Sequence, residues 1–209
     1  AFYAGLYSIP ARMRRRRIEE ILAMAWLPGR ENDLVGVLSL GFKQRLALGC
    51  AIIANPPLLF LDEPTSGVSP MMRREFFNLI QDLTRRGTSV IVSTHFMDEA
   101  ERCDQIVFFN QGKVIAMDHP DVLKQKVIEG VLLEVLLEQP LEIMKEIKAW
   151  PFVSDVNLHG RSLHILVNNQ EGREKVRERL DVELREITPS LEDVFIYLAR
   201  REEKAGEKK

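Results

Sequence analysis

An aspartate and a glutamate, Asp62 and Glu63, stand directly after an apolar run at 58–61, and a histidine, His95, stands directly after a second run at 88–94 rich in β-branched residues. Both runs read as strands, and in open parallel sheets ligands bind beyond the carboxyl ends of the strands. Asp62 is the hard oxygen donor that Mg²⁺ prefers. Glu63 can orient or deprotonate an attacking water, and an imidazole at His95 can donate to a phosphate oxygen. Upstream, Ser39 reads as the N-cap of a helix, whose free N–H groups and dipole favour an anion. Its hydroxyl adds a donor, and Gly41 lets a phosphate approach the backbone closely. Each feature has a bland reading: an acidic pair capping a loop, an ordinary capped helix, a structural histidine. The fixed order of L-S-L-G-F-K-Q-R at 38–45, L-L-F-L-D-E-P at 58–64 and S-T-H at 93–95 makes a shared task, handling a nucleotide's γ-phosphate, the better account. No G-x-x-x-x-G-K-[S/T] phosphate loop occurs in the sequence; Gly112-Lys113 is followed by Val114 and reads as a turn. His119, His159 and His164 lack such a context and are given no role.

These residues need an α/β scaffold, and the pattern supplies one. Helices are expected at 1–9 and at 11–26, the latter with Ile18, Ile21, Leu22 and Ala25 on one face. Pro28 and Gly29 close it and 30–37 is a loop. A helix from 40 to 54 ends at Asn55-Pro56-Pro57. The run at 58–61 shows no alternation, as in a parallel strand buried on both faces. Ser69 then caps a helix with Pro70 at its first position, running to 86 and stopped by Gly87. A strand at 88–94, a short helix at 97–102 and a hairpin turning at Gln111-Gly112 follow. Alternating strands and helices over 56–126 indicate a largely parallel sheet. The order strand 131–138, helix 140–149, strands 152–158 and 162–168, helix 170–180 and strand 182–187 is the βαββαβ order of a ferredoxin-like unit. Thr188-Pro189-Ser190 opens a last helix to 201, and the charged tail 202–209 reads as disordered.

Composition narrows the rest. With 29 Lys and Arg against 31 Asp and Glu, the net charge of −2 gives no general pull toward nucleic acid or anionic lipid. The arginines at 14–17 crowd the start of a helix, against its dipole; they are either a solvated face or a docking surface. Cys50 and Cys103 lie far apart without a C-x-x-C and read as reduced thiols of a cytosolic protein. No run approaches the ~20 apolar residues of a membrane span, and no signal peptide is visible. The sequence opens at Ala1 inside a helical pattern, which suggests an N-terminally truncated chain.

The three motifs together resemble the ATP-binding subunits of ATP-binding-cassette (ABC) transporters. Residues 38–45 look like the signature motif, usually written L-S-G-G-Q; 58–63 like the Walker B strand; 65–70 like the D-loop; and His95 like the switch histidine. The likeness extends through S-T-H-F-M-D-E-A-E-R-C-D and T-P-S-L-E-D-V-F, and points to the ABC-2-type exporter branch. It implies a partial P-loop NTPase domain: a helical signature subdomain over 1–55, the C-terminal part of the ATPase core over 56–128, and a small α+β accessory domain over 129–201. It implies ATP and Mg²⁺ as ligands. Glu63 and His95 would be catalytic, Asp62 would face the metal through water, Ser39, Gly41 and Gln44 would face the nucleotide, and Ser66, Gly67 and Ser69 would meet a second ATPase subunit or tandem half. A transmembrane permease subunit would be the other partner, no nucleic acid would be, and the protein would sit on the cytoplasmic face of the cell membrane. The phosphate loop and Q-loop would precede Ala1. Leu40 and Phe42 replace the first glycine and the glutamine of the usual signature, and Ser69 replaces the usual D-loop aspartate. A degenerate, non-catalytic half-site is therefore the alternative; an ATPase acting on DNA or ribosomes would rest on the short arginine run alone.

Overall fold

The computed structural model describes residues 1–27, 29 and 31–206. The chain divides into two compact units, Ala1–Arg102 and Cys103–Lys209. The seams expected at 55/56 and 128/129 fall inside these units.

The first unit opens with helices α1 (Phe2–Leu6) and α2 (Ala11–Met24). The expected stop at Pro28-Gly29 comes earlier, because Trp26 turns left-handed at φ 56° and closes the helix; Pro28 lies outside the described residues. A 3₁₀ turn (Val35–Val37) leads to α3 (Leu40–Ile52). Helices α2 and α3 pack together, with Ile21 and Leu48 buried. The arginine run is largely spent locally. Arg15 and Arg16 pair with Glu19 and Glu20 at i,i+4 spacing. Arg17 donates to the carbonyls of Ile52 (2.9 Å) and Ile53 (2.8 Å), satisfying orphan acceptors at the end of α3.

Strand β1 (Leu58–Asp62), α4 (Pro70–Arg85), β2 (Ser89–Ser93) and α5 (Met97–Ala100) follow. β1 and β2 form a parallel pair, from Leu58 opposite Ser89 to Asp62 opposite Ser93. Helix α4 packs on β2 and buries Phe76, Phe77, Ile80 and Leu83. The expectation that β1 is covered on both faces is not met among the described residues: Leu59 is buried, whereas Phe60 is 69% exposed and Ile91 54%. The β1–β2 sheet has two strands, too narrow to hide both faces of an unalternating apolar run.

The second unit begins with the antiparallel hairpin β3 (Ile106–Asn110) and β4 (Lys113–Asp118). Its turn residues Gln111 and Gly112 both take positive φ, the geometry that matches the twist of a hairpin. Helix α6 (Pro120–Lys126), with His119 as its N-cap, was not foreseen. Then come β5 (Val131–Leu136), α7 (Pro140–Lys148), β6 (Val153–His159), β7 (Ser162–Val167), α8 (Gln170–Leu180), β8 (Leu184–Glu186) and α9 (Leu191–Gly206). Four strands form an antiparallel sheet in the order β6-β7-β5-β8. One face, with Leu133, Val135, Val156, Leu163 and Ile165, packs with Ile147 of α7 and Val176 of α8. Helix α9 packs against α6 and β4, which places the hairpin in this unit rather than with β1 and β2. Helix α9 also runs on to Gly206, so the first part of the tail expected to be disordered is helical; 207–209 lie outside the described residues.

The start of α9 is a reciprocal cap. Ser190 Oγ accepts from the Asp193 N–H (3.2 Å), and Asp193 Oδ2 accepts from the Ser190 N–H (2.9 Å) and hydroxyl (2.7 Å). Asp193 also meets His164 of β7, Oδ1 to Nδ1, at 2.8 Å. That hydrogen bond, ahead of the opposing effect of burial, holds the His164 imidazole above its ordinary pKa. Burial pushes Asp193 up, but the bonds from His164 and Ser190 outweigh it and leave the carboxyl below its usual range.

Gly130, at the entry to β5, sits at φ 118°, where a Cβ would come within 2.3 Å of the Val167 carbonyl oxygen. Gly130→Ala is therefore expected to lower the unfolding free energy by about 1–3 kcal/mol in urea titration.

Candidate active site at the strand ends

The parallel register brings the ends of β1 and β2 level, and with them the acidic pair and the histidine. The Ser93 hydroxyl donates to the Asp62 carboxylate. The Glu63 N–H donates to Ser93 twice, to its carbonyl oxygen (3.1 Å) and to Oγ (3.0 Å). Glu63 takes φ 40°, in the left-handed region. A non-glycine residue there costs on the order of 1–3 kcal/mol, and such strain persists where the surroundings impose it. The result is a turned-out carboxylate whose Oε1 lies 3.4 Å from His95 Nδ1, with both side chains about half exposed. Three of the expected residues, Asp62, Glu63 and His95, thus share one patch open to solvent. The two carboxylates are hard oxygen donors, chemistry that fits Mg²⁺.

What holds the two strand-end loops together was missed at the level of sequence. Glu99, in the first turn of α5, is 2% exposed. Its Oε1 accepts from the Thr65 hydroxyl (2.5 Å), beyond β1, and its Oε2 from the Thr94 hydroxyl (2.6 Å), beyond β2. Thr94 Oγ1 in turn accepts from the Phe96 N–H (3.1 Å). Arg73 of α4 approaches Glu99 (3.8 Å) and Asp98 (3.2 Å) and lies 3.9 Å from the Phe96 ring centroid. One buried carboxylate therefore ties the loop carrying Glu63 to the loop carrying His95. The available signal was an acidic residue four positions after the histidine in an otherwise half-buried turn, which reads equally well as a solvated helix start.

The signature helix departs from expectation in detail. Ser39 and Ser69 occupy the N-cap positions of α3 and α4, but neither side chain bonds to its helix. A Cβ on Gly41 would lie 3.2 Å from Met72 Cε and 3.7 Å from Val68, and one on Gly67 2.9 Å from Leu40 Cδ2. Close packing thus gives a reason for both glycines that does not involve a ligand. Leu40 lies over Gly67, joining the start of α3 to the loop after β1. Phe42 packs with Ala25, Leu27 and Leu38, as an anchor of the helical part. Gln44 is half-buried, while Ser66 and Ser69 are exposed. Arg45 is buried under the Trp26 ring at 3.9 Å, and its terminal nitrogens find no hydrogen-bond acceptor among the described residues. Burial draws its pKa down.

Comparison with known proteins bears on this arrangement. A family model described as "AAA domain, putative AbiEii toxin, Type IV TA system" matches residues 28–96. The chain is 46% identical over 123 residues to the probable multidrug ABC transporter ATP-binding protein YbhF of Escherichia coli K12, covering 59% of this chain and 21% of that protein. It is 37% identical over 196 residues to the Nod factor export ATP-binding protein I of Rhizobium sp. strain N33, covering 91% and 64%. Over most of its length the chain is similar to ATP-binding subunits of ABC transporters. Solved structures of such subunits agree: one titled "Structure of ATP binding subunit of ABC transporter" is 28% identical with a TM-score of 0.53, covering 60% of this chain and 52% of its own. CbiO1 of Clostridium perfringens, part of the ABC transporter complex CbiONQ, is 25% identical with a TM-score of 0.51, covering 67% and 51%. The chain spans less than two thirds of the length of these relatives.

Removing the Glu99 carboxylate leaves the hydroxyls of buried Thr65 and half-buried Thr94 without their acceptor and takes away the negative charge 3.8 Å from Arg73. Glu99→Ala is expected to cost at least about 2 kcal/mol of stability, at about 1–3 kcal/mol per buried group left unsatisfied. Asp98→Ala, at an exposed position, should cost under about 1 kcal/mol. Urea unfolding of the two variants side by side checks the contrast.

Proposed function

We propose that this chain, as part of a complete ABC subunit, hydrolyses ATP to power export of a substrate across the membrane. The observation that carries the reading is the Glu63–His95 pair at the level ends of two parallel strands, backed by a buried carboxylate. In this reading Glu63 accepts the proton of the attacking water, and His95 holds the carboxylate and donates to a γ-phosphate oxygen. Asp62, oriented by the Ser93 hydroxyl, faces Mg²⁺ through water. The ion, when bound, neutralises developing charge on the phosphates. Ser39, Gly41 and Gln44 present the start of α3 to phosphate held by a second ATPase subunit or tandem half, which meets Ser66, Gly67 and Ser69. No phosphate loop lies among the 209 residues, so the loop comes from a further segment or chain, and the uncovered apolar face of β1 and β2 suits a larger sheet.

The names of the relatives, a Nod factor export protein and a probable multidrug transporter protein, support an exporter; the ABC-2 type and a transmembrane permease as partner belong to the same proposal. No described helix is long and apolar enough to cross a membrane. A place on the cytoplasmic face, bound through the permease, fits that. The unit formed by β5 to β8 with α7 and α8 reads as a ferredoxin-like accessory domain. A non-catalytic half-site is the second reading, favoured by Leu40 lying over Gly67 where the usual signature has glycine.

In the complete protein with its permease, Glu63→Gln should reduce ATP turnover at least about 100-fold, the lower end of what a general base contributes, with ATP binding retained. Undiminished turnover in that variant would refute the catalytic assignment, and a parent protein that binds ATP without turnover would favour the non-catalytic one. The 209-residue chain alone should show no micromolar binding of Mg-ATP by calorimetry.

A further inference from the structure

The face of the four-stranded sheet opposite its apolar core carries a polar cluster for which ATP hydrolysis has no use. Register sets it: Glu134 of β5 and Asn157 of β6 both pair with His164 of β7, and His159 pairs with Ser162. The His159 and His164 rings stack at 4.5 Å, tilted by 7°. The first turn of α9 brings in Glu192 and Asp193. Two imidazoles thus meet three carboxylates on a face where His164 and Asp193 are each more than nine-tenths buried.

We propose that His159, His164 and Asp193 form a binding site for a divalent transition metal of the zinc class. Their ligand atoms all lie within 4.8 Å of one another. His164 Nε2 stands 4.0 Å from Glu134 Oε1, and His159 Nδ1 3.9 Å from Glu192 Oε2. Both gaps are too long for hydrogen bonds, yet two ligands at ~2.0–2.2 Å from one ion can span them. Glu192 is therefore placed to complete the shell, whereas Glu134, on the Nε2 side of His164 and away from Asp193 on Nδ1, stands outside it, since one ion takes one nitrogen of a ring. Asp193 is held in orientation by Ser190, the kind of outer support that fixes metal ligands. The mixed nitrogen and oxygen donors suit zinc and its neighbours, whereas Mg²⁺ and Ca²⁺ prefer oxygen alone. Arg185 stands 3.9 Å from Glu134 and offsets it, so the carboxylates that favour a cation are Asp193 and Glu192, and half-exposed His159 leaves it a way in. Bound there, a metal would clamp the β6–β7 hairpin to the start of α9.

The test uses the chelator-treated 209-residue chain, titrated with Zn²⁺ against a chromophoric chelator and with Co²⁺ as a spectroscopic probe. The expected result is equimolar binding with a micromolar or tighter Kd, unaffected by excess Mg²⁺. Co²⁺ should show visible bands of nitrogen and oxygen ligands, without the thiolate charge-transfer absorption that Cys50 or Cys103 would give. His159→Ala, at a half-exposed position, should leave the metal-free unfolding midpoint in place and weaken zinc binding at least about tenfold. His164→Gln should abolish it. Parent-like affinity in His159→Ala, a thiolate spectrum, or no equimolar binding would overturn the proposal and leave His164–Asp193 as a structural ion pair alone.

Discussion

The parallel pairing of β1 with β2 is the constraint on which the candidate active site depends. Side chains alternate along a strand, so a slip of one residue would turn Asp62 away from Ser93 and carry His95 away from Glu63. The register is held at the strand ends by the two bonds from the Glu63 N–H to Ser93 and by the Ser93 hydroxyl on Asp62. Glu63 pays for its outward turn with a left-handed backbone, and the same bonds impose that conformation.

Behind this exposed patch lies a buried one of opposite character. Glu99 accepts from Thr65 and Thr94, so the loops leaving the two strands cannot move independently without breaking bonds in a low-dielectric setting. Leu40 over Gly67 extends the chain of contact from these loops to the start of α3. The helix whose N-terminus is proposed to meet phosphate, and the loop proposed to meet a second subunit, are therefore packed on each other within this unit. That arrangement gives a physical route by which nucleotide and partner could be sensed together, carried by packing rather than by charge.

Much of the scaffold was legible because it rests on local chemistry. Pro70 opens α4, Gln111-Gly112 turns the hairpin, and Ser190 opens α9, each for reasons contained within a few residues. The placement of Asp62, Glu63 and His95 at strand ends was legible for a related reason: an apolar run leads directly into the acidic pair and another into His95, so the position needs no knowledge of distant contacts. What escaped depends on partners far along the chain. Arg17 satisfies carbonyls 35 and 36 residues away, and Thr65 meets Glu99 across 34. The exposure of Phe60 and Ile91 reflects how many strands flank them, which an apolar run cannot reveal. Ser39 and Ser69 show the converse limit, with residues of the right type at helix N-caps whose hydroxyls do not cap.

The position of the γ-phosphate is the measurement that bears most directly on this reading. It can be obtained from an experimental structure of the complete protein with Mg²⁺ and a non-hydrolysable ATP analogue. The γ-phosphate should lie within hydrogen-bond reach of His95, with a water between it and Glu63 and with Asp62 turned toward the ion. A γ-phosphate bound away from the ends of β1 and β2 would contradict the assignment of these residues to catalysis.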